Sequence, residues 1–260
     1  MIRSRRILLI NPNSSEAITR ALAAEARRIL DGRAEIVAVT APFGPASIEC
    51  RAELVIAAHA VLAAIAAQRD YDAVVIAAFG DPGLEAAEDI ADAPVFGLGR
   101  SGLRAAAANG RRFAIVTLGE RLWPAIERMV VAEGLAAQCV GIRFLDGSVL
   151  DVAAQRPRFL DAMAAAANGC RNDHGAQAVL FGGAPFAGAG RDLAGRVAAP
   201  VFDGLSSALE AALQAPATVS RGDRGRMAIS RKPSTGVEEP LSARIHAFLH
   251  SDFDDPATPN

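Results

Sequence analysis

Aromatic side chains are scarce in this chain, at 5% of 260 residues, with one Trp and one Tyr. Alanine is abundant instead, so the interior is expected to be aliphatic and finely packed, with many helices. Cysteine is sparse too: Cys50, Cys139 and Cys170 are odd in number and far apart, which argues against a disulfide framework. No CxxC, HExxH or His/Cys cluster occurs, and His59, His174, His246 and His250 are scattered, so no metal site is expected. The net charge of -2 and the lack of Lys/Arg runs argue against a nucleic-acid partner. No apolar stretch reaches the roughly 18 residues of a membrane span, so no membrane partner is expected. Basic Met1–Arg6 precedes apolar Ile7–Ile10, but Asn11-Pro12-Asn13 ends that run too soon for a signal peptide, and a cytoplasmic location is expected.

What the chain does have is 51% hydrophobic residues, enough for one large domain or two lobes. Short β-branched runs alternate with longer alanine-rich segments. The runs predict strands at Ile7–Asn11, Glu35–Thr40, Ala73–Phe79, Val95–Gly97, Phe113–Thr117, Val140–Phe144, Ala178–Gly182 and Val201–Asp203. They are continuous rather than alternating, as strands covered on both faces should be. Helical spacing fills Ser15–Leu30, Glu49–Gln68, Leu122–Glu133 and Arg158–Asn172. Strand–helix–strand alternation predicts an α/β fold with parallel sheets.

The chain also echoes itself. Ala73-Val-Val-Ile-Ala-Ala runs into a Gly/Pro-rich turn, and Pro94-Val95-Phe96-Gly97 follows 21 residues after Ala73. Ala178-Val-Leu-Phe-Gly-Gly does the same, with Pro200-Val201-Phe202-Asp203 following 22 residues after Ala178. At the same offset of 105 to 106, Ile7–Ile10 matches Phe113–Val116. This predicts two similar lobes, each a four-stranded parallel sheet flanked by helices, related by a pseudo-two-fold axis. Residues 1–110 with 205–250 would form the first lobe and 111–204 the second. Residues 215–236, rich in Arg, Gly, Ser and Pro, read as a loop, Leu241–Leu249 as a short amphipathic helix, and 251–260 as a disordered tail.

Ligands of open parallel sheets bind beyond the carboxyl ends of the strands. Four such ends here carry small or polar residues: Asn11, Asn13 and Ser14; Ala78, Phe79 and Gly80; Thr117 and Leu118; and Gly182, Gly183, Ala184 and Pro185. The pseudo-symmetry would bring them face to face across an interlobe cleft, pairing Ala78 with Gly183. Their glycines permit close backbone approach, and Ser14 or Ser15 can cap the next helix, whose N–H groups suit a small carboxylate or cyclic imide. Taken singly, each loop is equally a plain turn.

In order and spacing together, these segments resemble the aspartate/glutamate/hydantoin racemase family, of the hydantoin and allantoin racemase kind. The resemblance rests on Asn11-Pro12-Asn13-Ser14-Ser15, Gly44-Pro45-Ala46-Ser47-Ile48-Glu49, Phe79-Gly80-Asp81-Pro82-Gly83-Leu84, Gly182-Gly183-Ala184 and Pro200–Gly204, across roughly residues 5 to 215. It implies a cofactor-independent enzyme, commonly oligomeric, acting on a small-molecule substrate with two thiols on opposite faces of a carbon. It also implies that Ser47 adjoins the substrate site. Aligned on these motifs, the thiol positions fall on Ala78 and Gly183, neither of which can carry a proton.

Replacement groups are few. Asp81 is one candidate acid or base, the alternative being a cap for a helix opening at Pro82-Gly83. Glu49 is another, the alternative being a helix N-terminal charge. Arg100 and Ser101, after Gly97-Leu98-Gly99, could bind a carboxylate. Glu120 and Arg121 could reach the cleft or simply begin a helix, Asp203 would fix a loop, and His59 lies on an alanine-rich face. The expected function is chemistry on a small carboxylate or hydantoin-like ring by a non-thiol route, with a catalytically silent ligand-binding homologue as the alternative.

Overall fold

The computed structural model describes residues 4–216 and 236–250. Two four-stranded parallel sheets are present, in strand orders β2-β1-β3-β4 and β6-β5-β7-β8. The first contains β1 (Arg5–Asn11), β2 (Ala34–Thr40), β3 (Ala73–Ile76) and β4 (Val95–Gly97); the second contains β5 (Phe113–Thr117), β6 (Cys139–Phe144), β7 (Ala178–Phe181) and β8 (Val201–Asp203). The identical strand order matches the internal echo, since β1 corresponds to β5 and β3 to β7. The β-branched runs become strands because both sheet faces are covered. Only β3 is clearly shorter than its apolar run, because Ala77, Ala78 and Phe79 leave the ladder at its carboxyl end.

The helices are α1 (Glu16–Leu30), α2 (Arg51–Ala66), α3 (Leu84–Ile90), α4 (Leu98–Ala107), α5 (Trp123–Ala132), α6 (Val149–Gln155), α7 (Leu160–His174), α8 (Ala189–Asp192), α9 (Gly204–Gln214) and α10 (Glu239–His250). One face of the first sheet, with Ile7, Leu9 and Val75, buries α1 and α9; the other, with Leu8, Ile10 and Ile76, buries α2, α3 and Leu241 of α10. In the second sheet, Val116 and Phe181 face α7, while Phe113, Ile115 and Leu180 face α4 and α5. Thus α4, which leaves the first sheet, lies on the second, and α9, which leaves the second, lies on the first. They cross closely: a Cβ on Gly204 would lie 2.6 Å from the Leu98 carbonyl oxygen. Leu205 and Leu209 of α9 are fully buried, and truncating either to Ala would cost about 2–5 kcal/mol.

The expected loop 215–236 lies outside the described residues beyond Pro216, apart from Gly236, as does the tail 251–260. Among the described residues, no helix is long and apolar enough to cross a membrane.

Candidate functional site

The carboxyl ends of β1, β3, β5 and β7 converge on one cleft, part of it open to solvent. Its wall contains Asn13, Ala78 and Phe79 from the first lobe. Thr117, Leu118, Gly182, Gly183, Ala184 and Pro185 complete it from the second. Ala78 and Gly183, paired by the echo, therefore line the same space.

Asn11 lies behind this wall, buried, and builds the site indirectly. Its Nδ2 donates to Asn13 Oδ1 (2.8 Å), the Ser15 carbonyl (3.1 Å) and Thr19 Oγ1 (3.0 Å). Asn13 Oδ1 also accepts the Ser15 N–H at 2.9 Å. With its oxygen taken by two donors, Asn13 has only Nδ2 left to offer the cleft. Ser15 caps α1, its Oγ accepting the Ile18 N–H. Ser14 is exposed, and its N–H is spent on the Pro45 carbonyl at 2.9 Å. Across the cleft, Thr117 Oγ1 donates to the Gly182 carbonyl at 2.7 Å, tying the ends of β5 and β7 together. Gly182 must be glycine because the Phe79 ring covers it, 2.5 Å from where a Cβ would be.

The two paired positions, Ala78 and Gly183, differ in backbone. Ala78 has no left-handed backbone, whereas Gly183 has φ +133° and ψ 147°, a region essentially reserved for glycine. At 78 the backbone suits any residue; at 183 the main chain itself departs from what a side-chain-bearing residue adopts.

Asp81 faces away from this space. With Gly80 it lines a separate surface depression shared with Arg100 and Arg128. Its Oδ1 accepts the Gly99 N–H at 2.7 Å and its Oδ2 the Arg100 N–H at 2.6 Å. The expected local cap is therefore replaced by a distant one. α3 begins at Leu84 without a side-chain cap, and Asp81 instead caps α4, whose own N-cap residue, Gly97, has no side chain to do so. The Gly99–Arg100 segment does bind a carboxylate, but one from its own chain. Burial pushes the Asp81 carboxyl up to about 6, against the lowering effect of the two amides.

Glu49 is held by Ser47, whose hydroxyl donates to Oε1 at 2.9 Å, and neither residue is among those lining the cleft. Ile48 between them is. The remaining wall residues without a sequence signal are Ala77, Leu122, Ile126 and Val149. No ionisable side chain lines the cleft among the described residues. Cys50 is the N-cap residue of α2, while Cys139 and Cys170 sit in the second lobe with thiols pushed up by burial, away from the reactive thiolate. His59 packs edge-on against Phe43, and Asp203 caps α9 through Ser206. Among the described residues, no group of His, Cys, Asp and Glu could hold a metal ion.

A family model described as Asp/Glu/Hydantoin racemase matches residues 7–212, which contain the whole cleft wall and every strand except the first two residues of β1. The chain belongs to the Asp/Glu/hydantoin racemase family. Within that family, a hydantoin racemase of Pseudomonas sp. (strain NS671) is 31% identical over 202 residues, covering 77% of this chain and 81% of that protein. A hydantoin racemase of Paenarthrobacter aurescens is 30% identical over 210 residues, covering 80% of this chain and 89% of that one. The solved structure of an allantoin racemase from Klebsiella pneumoniae matches with a TM-score of 0.77 at 32% identity, over 80% of this chain and 86% of that one. This racemase-family fold accordingly carries a cleft at the usual end of its strands, walled by neutral groups.

Proposed function

We propose that this racemase-family protein binds a small hydantoin-like or carboxylate-bearing molecule in the interlobe cleft and does not exchange its protons through side chains of the cleft wall. The observation that carries this reading is the neutrality of that wall. A general acid or base must reach the reacting proton within about 2.6–3.2 Å, or through one water, and no lining residue has a group that titrates. The wall offers instead a fixed amide donor, Asn13 Nδ2, opposite glycine-rich backbone. That arrangement suits a carbonyl or carboxylate oxygen, with Phe79, Leu118 and Val149 enclosing the apolar remainder.

A second reading is a non-thiol enzyme using Glu49. Ile48 lines the cleft, and the Glu49 carbonyl oxygen lies 4.0 Å from where a Cβ on Gly119 would be, which puts the Glu49 backbone beside the strand end that carries Leu118. Proton NMR of 5-methylhydantoin with the protein in D₂O separates the two. Binding without loss of the C5 proton beyond the protein-free rate supports the first reading. Catalysed exchange that disappears in Glu49→Gln supports the second and overturns the first.

A further inference from the structure

The least ordinary backbone in the cleft is at Gly183, and crowding does not explain its lack of a side chain. A Cβ there would meet Phe186 Cδ2 at 3.4 Å and Pro185 Cδ at 3.6 Å, ordinary contacts. What bars a side chain is the φ of +133°. Glycine reaches that region without strain, so its neighbours decide whether the chain stays there.

The segment after Gly183 is a single 3₁₀ turn, Ala184–Phe186, in which the Phe186 N–H reaches the Gly183 carbonyl at 3.0 Å. On one side the turn is anchored by Phe186, fully buried and edge-on to Phe181 of β7 at 5.4 Å between ring centroids. On the other side, three consecutive carbonyls converge on one guanidinium. Arg156 Nη1 donates to the oxygens of Pro185 (3.0 Å) and Ala187, and Nη2 to that of Phe186 at 3.4 Å. Asp192 Oδ2 grips the same guanidinium at 2.9 Å. Arg156 follows directly on α6, whose Val149 lines the cleft.

We propose that Arg156 is the positioning residue of the β7 wall: by gathering the carbonyls of residues 185–187 it holds Gly183 in a glycine-only conformation, which keeps that wall free of any side chain. The two terminal nitrogens of the guanidinium serve three carbonyls and the Asp192 carboxylate together; a lysine ammonium, with three donors on one atom, is a donor short of those four partners.

The test is a double-mutant cycle on thermal unfolding with Gly183→Ala and Arg156→Ala. If Arg156 enforces the conformation, releasing it lets residue 183 relax. The loss of Tm from Gly183→Ala should then shrink by at least half in the Arg156→Ala background, and Arg156→Lys should act like Arg156→Ala. Additive losses would overturn the proposal. Should Arg156→Ala fail to fold, Asp192→Asn, which loosens the guanidinium from outside, replaces it in the same cycle. A second readout is affinity for 5-methylhydantoin, followed through Trp123, the only tryptophan, which adjoins the wall residue Leu122. Folded Arg156→Ala should bind at least tenfold more weakly; unchanged affinity would mean that the residue serves stability alone. This second readout rests on the proposed function. If the wild type binds no hydantoin, that reading fails while the unfolding cycle still decides the role of Arg156.

Discussion

The carboxylate of Asp81 occupies the place that a side chain on Gly97 would need. A Cβ on Gly97 would lie 2.2 Å from Asp81 Cγ, and from there Asp81 reaches the first free N–H groups of α4. In the other lobe the equivalent of Gly97 is Asp203, which caps α9 with its own carboxylate. The two halves thus perform one task from two sequence positions.

Moving the carboxylate should therefore be tolerated. Gly97→Asp alone should be destabilised by about 1–3 kcal/mol through overpacking against Asp81. Asp81→Gly added to it frees the space, relieves a left-handed residue at φ +45° and restores a local cap. Urea unfolding should show the double variant recovering most of the loss; a double variant weaker than Gly97→Asp would refute the exchange.

Burial raises Asp81 from an ordinary 3.8 to about 6, so between those values the folded protein holds a proton that the unfolded chain has released. For this group, stability is greatest at the acid end of that window and falls as pH rises through it. At about 1.4 kcal/mol per unit, the change is on the order of 2–3 kcal/mol. Asp203, also raised by burial, acts in the same direction. Unfolding midpoints at pH 4, 5 and 6.5 should slope downward in the wild type and flatten in Asp81→Asn.

Asn13 separates scaffold from recognition. Asn13→Asp keeps the oxygen that Asn11 and Ser15 hold but replaces the donor facing the cleft with a second acceptor. Tm should move by only a few degrees, while calorimetry with 5-methylhydantoin should show binding at least tenfold weaker, in line with the roughly 1–3 kcal/mol of an unpaired polar contact. Unchanged affinity would remove Asn13 from the site.

Ala78→Cys should give one-sided chemistry. A thiolate at 78 can take a proton from a bound hydantoin's C5 and return a deuteron from solvent to the same face. Opposite it, position 183 offers only backbone. The expected result in D₂O is C5 exchange by NMR with optical rotation retained; racemisation beyond the protein-free rate would show that a second proton donor exists.

The fold was largely legible because its signals are local. Each β-branched run became a strand, and the residues that left the predicted strands, Ala77–Phe79 and Gly182, face the cleft. Ala78, Gly183 and Asn13 were legible because they follow strand ends. Ile48, Leu122, Ile126 and Val149 were not, since an apolar residue lining a cleft looks in sequence like one filling a core. Asp81 misled for a related reason: the nearest helix start is at Leu84, but the amides it satisfies are at Gly99 and Arg100. A helix opening on Gly97 without a capping side chain was the available clue. Arg156 gave none, because its partners are main-chain carbonyls.

The crossing of α4 and α9 sets how the cleft can open. Each lobe has lent a helix to its neighbour, so a cut near residue 110 would leave two fragments that each lack part of their own covering and carry part of the other's. A chain braided in this way cannot swing its lobes apart like a jaw without stripping Leu205 and Leu209 from the first sheet. The smaller piece at the rim is α6, which lines the cleft through Val149 and lies between Gly147, at φ +115°, and Arg156, which holds the Pro185 carbonyl.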